Sequence, residues 1–456
     1  MPRWHWGLCT SWRLLRSSAS WHYSYKVYSI YFLRIRSESI SIEDSECTLY
    51  SIVATRDIIT DLARSADKKK TASLTSLYNL VWPSTGSGLT VQLQVYRSKP
   101  PPDSKMAYAK ELELACQTVQ RATHLTKTLL TAVDKGTLDK TDSTPVTIAD
   151  FAAQALIIHT IHGVYPHDSF VGEEDSHALR SNPTLLDRTW DLLCTVPEGH
   201  RPATKDEMMR RIDLGAQGTC SPDTRAWVLD PVDGTATFMN GQQYAVCLSL
   251  VENGHQRVGV LGGPNLCLED GSGQIREDVV DRDGYGYMLF AVEGEGAYQR
   301  KMTAPRDQDG ERLLPATKLP PVKQITDPAD IRFVDSSCAT SSNYEVHARV
   351  AETLGAPWPP HADLWAAQLR YVAIAAGGCN VLLKVPRQPT YRSKIWDHSG
   401  GMLLAQELGV RVTDLDGNAV DCGLGRTLAG CYGMVVAPDP VHGRVVQAVK
   451  DVVQSL

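Results

Sequence analysis

Apolar residues recur at three- and four-residue spacing in MAYAKELELACQTVQRATHLTK, which begins at Met106. Leu112, Ala115, Val119, Ala122 and Leu125 share one face, the pattern of an amphipathic helix laid on a core. The breaker segment SKPPPDSK stands just before it. Further on, DKTDSTPVTIADFAAQALIIHTI predicts a turn at its Thr-Pro step and a helix over 148–161, with Ala152, Leu156 and the isoleucines inward. Asp150 is expected in the first turn of that helix, where the dipole favours a carboxylate. SFVGEEDS reads as a short apolar strand, a glycine and three acids. A polar stretch over 177–225, with a short helix near 205–212, leads to the strand WVLD.

The period then becomes strand-like. YAVCLSLVENGHQRVGVL predicts a hairpin turning at Asn253-Gly254, and 288–298 a second strand pair. Residues 303–329, rich in Pro, Asp and Lys, read as a linker. Beyond it, strands and helices alternate: a helix over 365–377, the strand NVLLKV, the helix HSGGMLLAQEL, the strand YGMVVA and a terminal helix over 441–453. The pattern predicts an α+β domain over 106–302, a linker over 303–330 and an α/β domain over 331–456. Residues 1–105 stand apart. Arg3, Arg13, Arg16, Lys26, Arg34 and Arg36 occur in the first 36 residues with no acid, amid Ser and Trp. That composition is compatible with a mitochondrial transit peptide. The clean helix after a breaker favours a functional start near Met106, with a disordered or mis-assigned extension before it and a cytoplasmic protein.

Composition narrows the function classes. The chain has 456 residues, 43% of them apolar, enough for one large core or two ordinary domains. A formal charge of −6 gives no basic excess for tracking a nucleic-acid polymer, whereas a small phosphorylated molecule is compatible. No run of eighteen apolar residues occurs, so no membrane association through a spanning helix is expected. The 11 cysteines form no CxxC pair and no zinc spacing, and read as reduced, mostly buried thiols.

The stretch WVLDPVDGTATF concentrates the candidate chemistry. Pro231 pushes Asp230 toward extended geometry, so the strand is expected to end there. Val232, Asp233 and Gly234 then make a tight turn and Thr235 starts a helix. Such a turn sets two aspartates and the Val232 carbonyl beside unpaired helix amides, which suits a magnesium–phosphate complex. As a bare sequence DPVDGT is equally a simple turn. GEED places Glu173 and Glu174 at another strand end, and KIWDHSGG places Asp397 at a helix N-terminus before glycines that permit close approach. Gathered carboxylates repel and raise one another's pKa, a penalty that divalent cations remove.

TPVTIADFAAQALI, VGEED, WVLDPVDGT with FMNGQQYAVCLSLVENG, and KIWDHSGGMLLAQELG together resemble the inositol monophosphatase superfamily of magnesium-dependent, lithium-sensitive phosphatases. The likeness is nearest to the fungal and plant 3′(2′),5′-bisphosphate nucleotidases and covers Met106 to the C-terminus. The resemblance implies a layered α-β-α-β-α sandwich. It implies that Glu173, Asp230, Asp233 and Asp397, with the Val232 carbonyl, hold two or three Mg²⁺ ions. Asp150 and Thr235 would orient and deprotonate water, and the Gly234 and Thr235 amides would hold the phosphate.

The substrate pocket departs from the family pattern. Thr340 in TSSN stands where the family has a histidine, and Ala367 in AQLRY where it has a serine. Arg370 replaces a lysine and Lys384 an arginine, so positive charge persists with different geometry. The implied activity is removal of the 3′-phosphate from adenosine 3′,5′-bisphosphate by a monomer or homodimer. An inositol phosphate or specialised-metabolite phosphatase, and a non-catalytic binding member, are the alternatives.

Overall fold

The computed structural model describes residues 47–54, 78–80, 89–96, 106–134, 144–269, 271–305 and 312–455. The transit-peptide expectation for residues 1–36 lies outside them. The chain divides into two units, Met1–Lys105 and Met106–Leu456. In the first, β1 (Cys47–Ala54), β2 (Tyr78–Leu80) and β3 (Leu89–Tyr96) form an antiparallel sheet in the order β1-β3-β2.

The second unit opens with α1 (Ala109–Asp134) and α2 (Thr144–Val164). Next come β4 (Ser169–Gly172), α3 (His177–Ser181), α4 (Pro183–Leu193), α5 (Lys205–Gln217), β5 (Arg225–Asp233) and α6 (Thr235–Met239). β6 (Ala245–Glu252), β7 (His255–Gly263), β8 (Tyr287–Val292), β9 (Gly296–Lys301) and β10 (Thr317–Lys318) complete a seven-stranded sheet. Its order is β10-β9-β8-β7-β6-β5-β4, antiparallel except between β4 and β5. The rest supplies β11 (Phe333–Asp335), α7 (Tyr344–Leu354), β12 (Ala362–Asp363), α8 (Ala367–Ala375), β13 (Val381–Lys384), α9 (Ser399–Glu407), β14 (Val410–Thr413), β15 (Met434–Pro438) and α10 (Asp439–Gln454). These strands form a second sheet in the order β12-β11-β13-β15-β14.

Strand periodicity explains the layering. In β5, Trp227 and Leu229 enter one core with α1 and α2, while Ala226 and Val228 enter a second core on the opposite face. In β8, Met288, Phe290 and Val292 face the first core, and Leu289 and Ala291 the second. The second core also holds α8 and α9, together with Leu382, Met434 and Val436 of the other sheet. The alternate residues Val381, Leu383, Val435 and Ala437 face a third core beneath α7 and α10. A strand repeats every two residues, so each sheet can bury both faces, and the result is the α-β-α-β-α sandwich.

Three local differences from the sequence reading have physical causes. α2 begins at Thr144, so Asp150 lies in its second turn rather than its first. Pro145 is tolerated at the start of a helix, where its missing N–H costs nothing, so the Thr-Pro step opens the helix instead of preceding it. β10 joins the edge of the large sheet from within the stretch expected to be a linker. β11, β12 and α7 were not anticipated, because the two strands are too brief to show alternation. The Asn253-Gly254 turn is as expected, with φ of 55° and 76°, both positive as a two-residue hairpin of this kind requires.

The first turn of α9 packs directly on β7. A Cβ built on Gly259 would lie 2.8 Å from the Gly400 carbonyl oxygen and 3.1 Å from its Cα. Gly259→Ala should therefore lift α9 from the sheet and destabilise the fold by about 1–3 kcal/mol. Urea denaturation checks this, and an unchanged midpoint would contradict the close packing.

Candidate active site

β4 and β5 run parallel with Gly172 opposite Leu229, so Glu173 leaves the end of β4 beside Asp230. β5 does not stop at Asp230. It continues to Asp233 through an irregularity between those two residues, against β6. A bulge accommodates Pro231, which cannot donate to a regular ladder. The Val232 amide donates to the Asp230 carboxylate at 3.2 Å. Gly234 follows at φ +99°, where a Cβ would meet Thr237 Oγ1 at 2.8 Å and the Ala366 Cβ at 3.0 Å, so glycine is required. α6 then starts at Thr235, which is exposed.

Asp397 comes from the layer between the two sheets, just before α9. It is not the cap of α9: that helix starts at Ser399, His398 occupies the cap position, and Asp397 lies in the preceding turn. Its backbone is set by Gln368, whose amide nitrogen donates to the Trp396 carbonyl at 2.7 Å and whose oxygen accepts from Gly401 N at 2.8 Å. A Cβ on Gly401 would press to 2.4 Å from the Tyr371 ring, so this glycine does permit close approach.

These acids share one electrostatic neighbourhood. Burial pushes the Asp230 carboxyl well above the usual range, and Glu173, Asp233, Asp397 and Asp150 all push it further. Glu173 is exposed at the mouth of the site yet crowded by protein on its other sides. That crowding, then Glu174 and Asp233, raises it to about 7, against a lowering by Lys394. Asp397 rises to about 7 through burial, Asp233 and Glu173, offset by Lys384 and Arg370. Asp150 is pushed well up by burial, then by Glu174 and Glu173. Asp233 rises only to about 6, because the amides of Gln368 and Ala367 and the charge of Arg370 oppose burial. Both its oxygens are engaged, at 2.9 Å to Ala367 N and 2.6 Å to Gln368 N, so β5 is tied to the start of α8.

Among the described residues, no three His, Cys, Asp or Glu side chains are drawn together as a ready metal-ligand set. The donor chemistry nevertheless fits a hard divalent cation. The donors are oxygens, and the acids that raise one another outnumber Lys394, Lys384 and Arg370, the cations that offset them, a surplus of negative charge that a divalent cation would relieve.

Among the residues expected to contact substrate, Arg370 and Lys384 are buried. Arg370 donates to the carbonyls of Leu364 and Trp365, both at 3.0 Å, and Lys384 donates to Ser341 Oγ at 2.7 Å. Thr340 is exposed, and its neighbour Ser341 is the residue that reaches Lys384. Ala367 takes part through its backbone amide on Asp233. An open cleft of about 360 Å³ is lined by Glu277, His361, Asp363 and Trp365 among others. Trp365 is 38% exposed there, and its amide donates to Glu277 Oε1 at 2.6 Å.

Sequence reasoning passed over the residues that hold the loops. Gln154 is fully buried; its oxygen accepts from Glu174 N at 3.1 Å, and its nitrogen donates to Glu174 O at 2.7 Å and Ile212 O at 3.0 Å. Its place four residues after Asp150, on the same helix face, was the available signal. Gln368 has no comparable signature.

The sequence model of the inositol monophosphatase family matches residues 105–454. The chain is 36% identical over 362 residues to the 3′(2′),5′-bisphosphate nucleotidase of Emericella nidulans, covering 76% of this chain and 100% of that one. It is 34% identical to 3′(2′),5′-bisphosphate nucleotidase 1 of Candida albicans strain SC5314 (76% and 97% covered). With the 3′(2′),5′-bisphosphate nucleotidase of Schizosaccharomyces pombe the identity is 33% (75% and 96% covered). The chain belongs to the inositol monophosphatase family.

Gln154→Leu keeps the side-chain volume but leaves the Glu174 amide and two carbonyls without their partner. It should lower stability by about 1–3 kcal/mol. Thermal and urea unfolding measure the loss, and wild-type stability would show that the clamp on the Glu173–Glu174 loop is dispensable.

Proposed function

We propose that this chain is a magnesium-dependent phosphomonoesterase that hydrolyses adenosine 3′,5′-bisphosphate to AMP and phosphate. The observation that carries the reading is charge placement. Arg370 and Lys384 are buried beside the acidic group, act on Asp397, and form no ion pair among the described residues. Two buried cations without carboxylate partners suit a ligand bearing a second phosphate. The names of the three nucleotidase relatives support the same class of substrate.

Glu173, Asp230, Asp233, Asp397 and the Val232 carbonyl would hold two or three Mg²⁺ ions. Bound there, magnesium would neutralise the phosphoryl oxygens and acidify the attacking water. Asp150 would accept a proton at its carboxylate; its raised affinity for protons favours that role. Thr235 would orient the water with its hydroxyl, and the Gly234 and Thr235 amides would donate to the phosphate. Thr340 and Ala367 would border the substrate. Arg370 would hold the second phosphate through guanidinium donors not engaged by the carbonyls, and Lys384 would act as a point charge.

A second reading, an inositol phosphate or specialised-metabolite phosphatase, is favoured by the exposed Thr340 and the Ala367 amide engaged by Asp233. Phosphate release with magnesium from adenosine 3′,5′-bisphosphate against inositol bisphosphates decides between them. Preference for the nucleotide and inhibition by lithium are expected. Asp233→Asn should lower turnover by more than about 100-fold, beyond the loss seen for groups that merely orient metal ligands. Preference for an inositol phosphate selects the second reading. Inactivity of the wild type on every substrate, equal to that of the variant, selects a non-catalytic binding protein.

Burial, then Arg370, lowers Lys384 to about 8, against Asp397 and Asp335. Its charge is present below that pH and lost above it. The value of kcat/KM for the doubly phosphorylated substrate should therefore fall as pH rises through about 8. Lys384→Arg should move this alkaline limb upward, and a limb indifferent to the substitution would remove Lys384 from anion binding.

A further inference from the structure

Glu173 and Asp397 reach the acidic group from segments far apart in the chain, and one residue, Arg426, contacts both: its side chain meets the backbone before Glu173 and the Trp396 ring before Asp397. The Arg426 guanidinium donates to Gly172 O at 2.5 Å, the carbonyl of the peptide bond leading into Glu173. It also donates to Gly215 O at 2.6 Å and Gly218 O at 3.2 Å, where α5 ends. A cation is favoured at these carbonyls, since the last turn of a helix leaves them unpaired and carries partial negative charge. α5 leaves no slack at this point: a Cβ on Gly218 would fall 1.7 Å from the Phe170 carbonyl oxygen of β4.

The same residue grips the Asp397 side. Its guanidinium carbon lies 5.0 Å from the centre of the Trp396 ring, within cation–π reach. Its own carbonyl accepts from Ile395 N at 3.1 Å, and the bridge between Lys394 and Thr427 continues the contact. Five rigid donor positions in a planar fork allow one side chain to serve three carbonyls while its face stacks on an indole, which a lysine cannot reproduce.

We propose that Arg426 is a positioning residue that sets the separation of Glu173 and Asp397 by locking the end of β4, the end of α5 and the 395–397 turn into one unit. The proposal rests on the reading of those two carboxylates as metal ligands. Arg426 touches no reacting atom in this scheme. It acts by fixing two ligand-bearing backbones before an ion binds.

Arg426→Lys in the full chain tests this, with the magnesium dependence of thermal unfolding as the readout. The wild type should be stabilised by Mg²⁺. The variant should need about tenfold more to reach half of its own stabilisation, the scale for groups that orient ligands. An unchanged magnesium midpoint, whether or not the metal-free protein melts earlier, would reduce Arg426 to a structural residue and overturn the proposal. A wild type that does not respond to magnesium would overturn the metal reading itself, a distinguishable result. Should the variant not fold, hydrogen exchange on the wild type decides. The Gly218 amide, which bonds Leu214 O and lies on a segment with no proposed ligand, should gain protection as magnesium is added. Protection confined to the ligand loops would overturn the link through Arg426.

Discussion

Carboxylates brought close together in a low-dielectric place repel one another, and the site at the end of the seven-stranded sheet is arranged around that repulsion. Asp230 receives an upward push from four acids and from burial. In such surroundings unlike charges attract and like charges repel far more strongly than in water. The arrangement persists because the chain holds the backbones that carry the acids. Asp233 is fixed by two amides at the start of α8, and Glu174, next to Glu173, by both ends of the Gln154 amide group. The scaffold supplies order, and the surplus of negative charge is what would attract the proposed cation.

The layered fold explains why these holds are available. β4 and β5 deliver Glu173 and Asp230 side by side because they are the parallel pair in an otherwise antiparallel sheet. α8 lies between the sheets, with its first amides on Asp233 and its Gln368 side chain on the turn bearing Asp397. Arg370 and Lys384 project from α8 and β13 in the same layer, which brings positive charge to the acidic group without ion pairing among the described residues. Opposite charges are thus kept near but separate, the arrangement on which the proposed binding of a doubly phosphorylated molecule rests.

Much of this was legible in the residues. The amphipathic run that begins at Met106, and the hairpin at Asn253-Gly254, carry strong periodic or turn signals, and the acidic stretches stood out together because three separate strand or helix ends bear carboxylates. The misread details are those in which tertiary structure overrides local preference. Pro231 suggested a strand end, yet a bulge carries β5 past it to Asp233. Asp397 was expected at a helix N-terminus, but α9 starts at Ser399, where the distant Gln368 oxygen accepts from the early Gly401 amide. Gln154 could have been noticed from its place four residues after Asp150, whereas Gln368 and Arg426 were passed over because an amide or guanidinium that binds distant carbonyls leaves no spacing in the chain.

A crystal grown with manganese in place of magnesium, measured for anomalous scattering, tests the account most directly. The account predicts peaks bounded by Glu173, Asp230, Asp233 and Asp397, with the carboxylates drawn inward around them. Strong peaks elsewhere, or none, with these four side chains left apart and Asp233 held only by the Ala367 and Gln368 amides, would contradict it.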